Sequence, residues 1–308
     1  MNKQEIINWL LQGDVSIQYQ VHRDLLSVER EDLRNRIAVE GWGAQFLSKR
    51  RQDGHWGIKF YQPKWTSTHY TLLDLRNLCI SPENPLIKES IDIIINTEKG
   101  KDGGILPIGI DQKCDVCLNG MFLNYASYFK TEENGLKSII DFILSQQMPD
   151  GGFNCMLNRY GARHSSLHST LSVLEGITEY ELNGYDYRLY ELKEAKQSSI
   201  EFILIHQLFI SDRTGEIIKK EFLRLSYPGR WHYDILKALD YFRYAGEKWD
   251  ERMKSALTVL LKKRNKDSTW NAQAHYHGQV HFDMEKAGKP SRWNTLRALR
   301  VLKHFGIE

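Results

Sequence analysis

The chain repeats one helix–turn unit along most of its length. FLSKRRQDGHWG at 46–57 and FILSQQMPDGGFNC at 142–155 each join an apolar helix end, a polar stretch and an Asp-Gly turn closed by an aromatic residue. KGKDGGILP at 99–107 contains the same turn, and SDRTGEI at 211–217 and KDSTW at 266–270 are degenerate copies. The turn aspartates are Asp53, Asp102, Asp150, Asp212 and Asp267. Such internal repetition predicts a fold built from stacked copies of one unit.

Helical patterns flank each turn, and convincing strand patterns are absent. Apolar residues recur at helical spacing, as in Leu171, Leu174 and Ile177. The patterns predict six helix pairs, at 5–12 with 15–26, 42–51 with 66–79, 86–98 with 115–129, 134–147 with 164–181, 196–209 with 230–245, and 250–264 with 292–305.

Six helical hairpins close into a ring more naturally than into an open solenoid, because both ends of the array then bury their apolar faces. We therefore predict a single all-α domain over residues 1–308, an (α/α)6 toroid with six inner and six outer helices. The longest loops are expected at 182–195, 211–229 and 268–291, over one mouth of the ring.

Composition excludes several classes of protein. The net charge is only +3, from 42 basic and 39 acidic residues without a basic stripe, which argues against nucleic acid as a partner. No run approaches about 18 consecutive apolar residues, so we expect no transmembrane segment, and the N-terminus lacks the pattern of a signal peptide. The four cysteines are too few and too unevenly placed for a disulfide framework, which predicts reduced thiols and a cytoplasmic protein. No partner subunit is indicated.

The predicted ring concentrates functional side chains at the N-termini of its inner helices. These helices run parallel, so their N-termini meet at one mouth, where partial positive charge and free N–H groups favour anions. The residues placed there are Trp65, Ser67, His69, Cys114, Asp115, Cys117, Arg163, His164, His168, Arg230, Trp231, His232, Tyr233, Asp234, Arg292, Trp293 and Asn294. Helix capping explains Ser, Asp and Asn but not Trp, His, Arg or Cys. Singly, each could be a cap or a core residue, but together they predict a lined cavity.

A zinc site is one interpretation of this mouth. Zinc in proteins takes three or four N, S or O ligands, and catalytic sites keep one position open. Asp115 and Cys117 can converge around the first turn of their helix, and the next inner helix offers His168, with His164 as the alternative third ligand. Two other arrangements stay open. Cys114 and Cys117 could join both histidines, or a loop could bind the metal through His275, His277 and His281.

The repeated turns resemble those of the terpenoid cyclase and protein prenyltransferase toroid superfamily, over essentially the whole chain. Proton-initiated cyclases of that superfamily use an Asp-x-Asp-Asp motif, which is absent here. Prenyltransferase β subunits hold catalytic zinc with an Asp-x-Cys at the start of one inner helix and a histidine on the next. Asp115-Val116-Cys117 matches the first part, and His168 matches the second with a register shifted by one residue relative to Gly176. The basic and tyrosine residues that hold the diphosphate in that family are not matched, since Leu118 follows the cysteine.

The resemblance implies a prenyltransferase-like or terpenoid-cyclase-like zinc enzyme. Its substrate would be an apolar small molecule, such as an isoprenoid, with an anionic group. Asp115, Cys117 and His168 would hold the metal. The expected substrate-binding residues are Trp65, His69, Arg230, His232, Tyr233, Arg292 and Trp293, with the arginines on the anionic group and the aromatic rings on the apolar part.

Two alternatives remain for function. The ring could sequester a lipid or isoprenoid without chemistry. It could also be a carbohydrate-active (α/α)6 enzyme, which requires convergent carboxylates. The inner N-termini offer few of these beyond Asp115 and Asp234, so this alternative ranks last.

Overall fold

The structure, a computed structural model, describes residues 1–107 and 113–307. Within these ranges the α-helices are α1 (Lys3–Leu11), α2 (Val15–Gln20), α3 (Glu31–Arg36), α4 (Gly41–Leu47), α5 (Thr68–Asn77), α6 (Pro85–Thr97), α7 (Val116–Tyr128), α8 (Glu133–Ser145), α9 (Leu157–Tyr160), α10 (Leu167–Leu182), α11 (Leu189–Ile205), α12 (Ile235–Tyr244), α13 (Lys254–Lys262) and α14 (Arg292–His304). A π-helix continues α2, and three 3₁₀ turns complete the helical segments, at Val21–Leu26, Lys64–Thr66, Lys220–Leu223 and Glu251–Met253.

The helices follow the six predicted pairs in chain order. The pairs are α1 with α2, α4 with α5, α6 with α7, α8 with α10, α11 with α12, and α13 with α14. Three details differ from the prediction. The short helices α3 and α9 were not expected, and α11 begins at Leu189, inside the loop predicted at 182–195. The 268–291 segment also contributes a strand pair, in which Trp270 faces Ser291 and Asn271 faces Pro290 in antiparallel register.

The two helices of a pair differ in how much of their surface is buried. In α7 every residue from Leu118 to Ser127 is buried, as expected of a helix surrounded by other elements. Its partner α6 buries a single stripe at helical spacing, made of Ile87, Ser90, Ile91 and Ile94. The second helix of the pair therefore lies inside and the first lies outside.

The buried helices α7 and α10 touch through their backbones. A Cβ atom added to Gly176 of α10 would lie 2.4 Å from the carbonyl oxygen of Gly120 in α7. One added to Gly120 would lie 2.7 Å from the carbonyl oxygen of Ser172. Only glycine at these two positions allows the helices to approach so closely.

The repeated turn has one structural role in four of its copies. The residue three positions after the turn aspartate donates its buried backbone N–H to a side chain early in the next buried helix. The pairs are Trp56 with Thr68 (3.0 Å), Ile105 with Asn119 (2.7 Å), Phe153 with Thr170 (2.9 Å) and Trp270 with Thr295 (3.0 Å). Because an unpaired buried N–H is costly, these bonds fix each turn against the helix that follows it.

The turn glycine is required by its backbone conformation. Gly103 and Gly151 have φ of 92° and 90°, a region that residues with a Cβ rarely adopt. A Cβ on Gly151 would also lie 2.9 Å from the carbonyl oxygen of Ser198 in α11. The Asp-Gly sequence therefore seats the turn against a first, outer helix as well.

The chain forms two compact units, each with its own core. The first comprises Met1–Ser48, Asn77–Ser81 and His206–Glu308, and the second comprises Lys49–Arg76 and Pro82–Ile205. Wholly buried side chains of the first include Leu10, Phe242 and Trp270, and those of the second include Trp56, Phe122, Phe129, Phe153 and Tyr180. The single domain over 1–308 stays a prediction. Among the helices of the described ranges, none is long and apolar enough to cross a membrane.

Candidate functional site

Asp115 stands at the N-cap position of α7 but does not cap it. Its side chain accepts no hydrogen bond from the first turn of the helix. Instead, Oδ1 lies 2.8 Å from Nε of Arg159 in α9, and both side chains are 23% exposed. The carboxylate is therefore committed to an ion pair between two helices, and capping does not account for its presence.

Cys117 and Cys155 form a hydrogen-bonded thiol pair, and both are reduced. Cys117 lies in the first turn of α7, and the backbone N–H of Cys155 donates to Oγ of Ser169 in α10 (3.0 Å). The bond from Cys117 lowers the pKa of the Cys155 thiol to about 7, whereas that bond and burial raise the pKa of Cys117. One thiolate shared by the pair is thus accessible near neutral pH.

Tyr61 lies beside the thiol pair. Its hydroxyl is 2.9 Å from that of Tyr70 in α5. Burial raises the pKa of Tyr61, and the neighbouring ionisable groups of Cys117, Asp115 and Cys155 raise it further. Because such electrostatic effects weaken with distance, we place Tyr61 near these three groups. This region is the polar edge of an aromatic cluster.

His69 occupies the interior of that cluster. It is wholly buried, and its ring lies 4.8–5.6 Å from the rings of Phe60, Tyr61, Tyr70 and Tyr125. Its Nδ1 is 3.2 Å from the Tyr125 hydroxyl, and Nε2 has no partner within the described residues. Burial lowers the pKa of His69 to about 3, so the ring is neutral at physiological pH.

Trp65 extends the cluster at its edge. Its ring packs edge-on against Tyr70 at 4.9 Å, and the ammonium of Lys64 lies 4.9 Å from the Trp65 ring centre. Burial lowers the pKa of Lys64, and the nearby Cys117 thiol group opposes this shift. We call this set the thiol–aromatic cluster; it comprises Phe60, Tyr61, Lys64, Trp65, His69, Tyr70, Asp115, Cys117, Tyr125 and Cys155.

The zinc ligands predicted from the sequence are not arranged around a common point. Across residues 1–107 and 113–307, no group of three or more His, Cys, Asp or Glu side chains is placed to hold a metal ion. Asp115 forms an ion pair with Arg159, and Cys117 is hydrogen-bonded to Cys155. His168 is half-buried on α10. The donor set therefore does not fit zinc in this arrangement. Zinc at Asp115, Cys117 and His168, or at the loop histidines, stays a prediction.

The two other candidate zinc ligands, Cys114 and His164, make contacts that belong to the fold. Cys114 is buried, and its backbone N–H donates to Oδ2 of the turn residue Asp102 (2.8 Å). Burial raises the pKa of the Cys114 thiol, so this cysteine is held as a neutral core residue. His164 is exposed, and its carbonyl oxygen accepts from Asn154 Nδ2 (2.7 Å).

The remaining predicted substrate-binding residues belong to the first unit. His232 stacks on Tyr276 at 3.4 Å with an interplanar angle of 2°, and on Trp231 at 3.8 Å. Arg230 is 8% exposed and adopts a left-handed φ of 55°. Tyr233 points into the core, where its hydroxyl donates to the carbonyl oxygen of Leu208 (2.6 Å).

Trp293 and Arg292 begin α14. The Trp293 ring stacks on Tyr227 at 4.7 Å and lies 6.4 Å from Trp42. Arg292 turns toward α1, where Nε donates to the carbonyl oxygen of Trp9 (2.9 Å) and the guanidinium lies 4.7 Å from the Trp9 ring centre. Trp293 thus belongs to an aromatic group, whereas Arg292 joins two helices.

Two carboxyl groups, one buried and one half-buried, accompany these rings. Asp234 accepts from the backbone N–H of Lys237 (2.8 Å) and so caps α12, and burial raises its pKa. Glu285 accepts from the backbone N–H of Trp293 (3.0 Å) and from Ser291 Oγ, and burial raises its pKa as well. We call Trp42, Tyr227, Trp231, His232, Tyr276, Trp293, Asp234 and Glu285 the carboxyl–aromatic group.

Trp65, His69, Asp115 and Cys117 lie together in the second unit, beside four neighbours that the sequence did not identify as site residues. Arg159, Tyr61 and Lys64 carry no motif, and Cys155 is only the last residue of the repeated segment at 142–155. Glu285 was missed in the first unit. The available signal was positional, because Tyr61 and Cys155 both follow a repeated Asp-Gly turn by a few residues.

No protein-family model matches this chain, and no curated protein matches it. Solved structures do match over nearly its whole length. A polysaccharide lyase aligns with a TM-score of 0.53 at 9% identity, covering 99% of this chain and 97% of the lyase. A family 88 glycosyl hydrolase from Bacteroides vulgatus aligns with a TM-score of 0.51 at 12% identity, covering 98% and 97%.

A type II terpene cyclase from Scytonema in complex with geranylgeranyl dihydroxybenzoate also matches, with a TM-score of 0.45 at 11% identity over 94% of this chain and 86% of the cyclase. Likeness at that TM-score supports no conclusion, and likeness at 9–12% identity shows the fold alone. The predicted fold class is confirmed at this level: the chain has the all-α (α/α)6 toroid fold.

Proposed function

We propose that this chain is a toroid enzyme acting on an apolar substrate with an anionic group, and that the thiol–aromatic cluster is its active site. The observation that supports this most directly is the placement of the half-buried Cys117–Cys155 pair and the half-buried Asp115–Arg159 ion pair beside Tyr61 and its aromatic neighbours. A purely structural core gains little from such groups, because buried polar and charged side chains are costly to desolvate. Their presence among aromatic rings is typical of a ligand site.

The cluster offers each part of such a substrate a partner. The rings of Tyr61, Tyr70 and Trp65 would contact the apolar part and would stabilise positive charge that develops on it. The Lys64 ammonium, over the Trp65 ring, and the N-terminal N–H groups of α7 would bind the anionic group. The thiol pair would provide a nucleophile or hold a proton. An isoprenoid diphosphate combines these features in one molecule.

Binding of farnesyl diphosphate tests the proposal. We expect saturable quenching of tryptophan fluorescence, with affinity reduced about fivefold in Tyr61→Leu because one aromatic contact contributes roughly 1 kcal/mol. Tyr190→Leu is the matched control, since Tyr190 is 71% exposed on α11. Equal affinity in all three proteins, or no binding at all, would contradict the assignment of this cluster.

Mass spectrometry of the reaction mixture separates an enzyme from a binding protein. We expect wild-type protein to convert the diphosphate and Cys117→Ala to lose this activity while still binding the ligand. A wild-type protein that binds farnesyl diphosphate without forming product would support the alternative of a non-catalytic isoprenoid-binding toroid.

Zinc binding is tested separately, because none of the proposed substrate contacts requires the metal. If zinc is part of the site, elemental analysis of the purified protein should find about one zinc per chain, with loss of the metal in Cys117→Ser. Loss only on changing His275 or His277 would instead place the metal in the loop. Zinc bound through Asp115 would require that carboxylate to leave Arg159.

A carbohydrate substrate is the second candidate, and the carboxyl–aromatic group favours it. Stacked rings such as Tyr227 with Trp293 suit the apolar faces of sugars, and a carboxyl group with a raised pKa, such as Glu285, can serve as a general acid. Two structures of the same fold are named as a polysaccharide lyase and a glycosyl hydrolase. Release of reducing ends or unsaturated sugars from uronate-containing oligosaccharides, lost in Glu285→Gln, would favour this candidate over the first.

A further inference from the structure

A cavity of about 190 Å³ lies in the first unit, lined by Asp24, Arg243, Arg300, Lys303 and His304. Since water in the liquid occupies about 30 Å³ per molecule, the cavity has room for a polyatomic ion. It lies at the C-terminal end of α14, whereas Trp293 and its aromatic neighbours lie at the N-terminal end. None of its lining residues belongs to the two groups described above.

The lining of this cavity carries more positive than negative charge. Three of the five residues are cations at neutral pH, and Asp24 is the one carboxylate among them. The Lys303 ammonium donates to the carbonyl oxygens of Asp24 (3.0 Å) and Leu25 (3.1 Å) and to Ser27 Oγ (2.9 Å). These acceptors are neutral, so within the described chain no carboxylate balances the Lys303 charge.

The surrounding ion pairs do not supply the missing negative charge. Asp24 is already held by Arg23 (2.6 Å) and Arg300 (2.9 Å). Asp240, the other carboxylate of this network, is shared by Arg300, Arg297 and Arg243. Four arginines therefore share two carboxylates in this part of the described chain, even before Lys303 is counted.

Arg243 is the side chain best placed to donate to a ligand. Within the described residues its guanidinium makes one hydrogen bond, from Nε to Asp240 Oδ1 (2.9 Å), which leaves its terminal nitrogens for another acceptor. Burial lowers the pKa of Arg243, and repulsion by Arg300 acts in the same direction against the attraction of Asp240. An anion in the cavity would relieve this repulsion.

We propose that the cavity binds a phosphate group, with Arg243 as the direct hydrogen-bond donor and with Lys303 and Arg300 as further positive charges. A phosphate dianion would offset two of the positive charges in excess around the cavity, whereas a carboxylate would offset only one. Arginine and lysine are also the residues that bind phosphate oxygens most readily, arginine through its planar fork of N–H groups. The shared chemistry is the phosphate group, either as the free ion or as a phosphate monoester.

Isothermal titration calorimetry with inorganic phosphate, at constant ionic strength in chloride, tests this site. We expect saturable binding by wild-type protein and affinity about fivefold lower in Lys303→Gln, as for loss of one partly exposed charge pair. Arg243→Gln should weaken binding further, and circular dichroism would show whether it remains folded. Lys262→Gln is the matched control, because Lys262 is an exposed lysine of α13 outside the cavity.

Glycerol phosphate, titrated in the same way, identifies the form of the ligand. Binding of both compounds with the same dependence on Lys303 would indicate the phosphate group of an organic molecule, and binding of inorganic phosphate alone would indicate the free ion. No saturable binding of either compound would overturn the proposal, as would equal affinity in wild type and Lys303→Gln. The cations would then serve only to neutralise Asp24, Asp240 and the C-terminal carbonyls of the helices.

Discussion

At the residue scale, the clearest stability contributions come from single side chains that close the repeated turns. Thr170 both accepts from the backbone N–H of Phe153 (2.9 Å) and donates to its carbonyl oxygen (3.3 Å), and both residues are buried. Valine has the shape of threonine without its hydroxyl. Thr170→Val therefore keeps the packing but leaves a buried N–H without a partner.

We expect Thr170→Val to lower the free energy of unfolding by about 1–3 kcal/mol, the range found for unsatisfied buried groups. Urea denaturation followed by circular dichroism measures the change. Thr97→Val is the control, because Thr97 is exposed on α6 and its hydroxyl bonds only within its own helix and to Glu98. Equal losses in the two variants would show that the turn bond contributes nothing of its own.

The Cys117–Cys155 pair predicts a thiol that reacts at unusually low pH. Since the pKa of Cys155 is lowered to about 7 by the bond from Cys117, its thiolate forms as pH rises through neutrality. Modification by iodoacetamide, followed by mass spectrometry after treatment with a chelator, should be half-maximal near pH 7. Cys117→Ala removes the donor and should shift this midpoint toward that of a free thiol, about 8.5.

Buried Cys114 provides an internal control for that experiment, because it should remain unmodified in both proteins. If the midpoint for Cys155 is the same with and without Cys117, the thiol bond does not set its reactivity. This outcome would remove the pair from the list of candidate nucleophiles without affecting the aromatic part of the cluster.

The sequence predicted part of the cluster and could not predict the rest. Asp115 and Cys117 were identified because they lie two residues apart at the start of a periodic helix. Cys155 precedes the short helix α9 and Arg159 lies within it, both about 40 residues farther along the chain. They contact Cys117 and Asp115 only through tertiary packing. A local pattern contains no information on such a meeting, and so the pairing of Asp115 with Arg159 was missed.

At the element scale, helix pairs were predictable because their periodicity extends over several turns. The one-turn helix α9 and the six-residue α3 are too short to show a period. The strand pair at Trp270 and Ser291 depends on contact between two distant segments, so its local sequence shows no alternation. In each case the element depends on tertiary contacts, which a local sequence pattern does not show.

The contact between α7 and α10 predicts the most sensitive backbone position in the second unit. Gly176→Ala places a methyl group 2.4 Å from the Gly120 carbonyl oxygen, which is backbone and cannot move aside as a flexible side chain can. We expect the free energy of unfolding to fall by about 1–3 kcal/mol, as for overpacking of a core. Thermal unfolding of the purified variant measures it.

Gly184→Ala helps to interpret that result. Gly184 lies just beyond the end of α10 with φ of 80°, and a Cβ added there meets nothing within 4 Å. Any loss of stability in Gly184→Ala would therefore measure the cost of backbone strain alone. A Gly176→Ala variant as stable as wild type would mean that the two helices can separate without cost, contrary to the packing described here.

At the scale of the whole molecule, the first and last segments of the chain belong to one unit and are joined by buried charges. Arg300 of α14 donates to Asp24 Oδ2 (2.9 Å) and Gln20 Oε1 (3.0 Å), both near the N-terminus. It also donates to Asp240 of α12 through Nε (2.7 Å). This network therefore joins the first and last helical segments of the described chain within the first unit.

Asp240 is the central acceptor of that network. Burial tends to raise its pKa, but the positive charges of Arg300, Arg243 and Arg297 outweigh this and hold the pKa well below its usual range. Asp240→Asn leaves three buried or half-buried guanidiniums without their main counter-charge. Breaking a buried ion pair by removing one partner costs about 3–5 kcal/mol, and we expect an unfolding free energy reduced by that amount at neutral pH.

The pH dependence distinguishes an electrostatic cause from a loss of packing. A carboxylate whose pKa is lowered by folding contributes its full stabilisation above the unfolded value, near 3.9, and loses it only as pH falls through the folded value. The difference between wild type and Asp240→Asn should therefore stay constant through the neutral range and shrink only below about pH 4. Asp32→Asn, which breaks an exposed pair with Arg30, should leave the unfolding transition unchanged. A difference for Asp240→Asn that persists at low pH would mean that the aspartate acts through shape, and that the arginines do not depend on its charge.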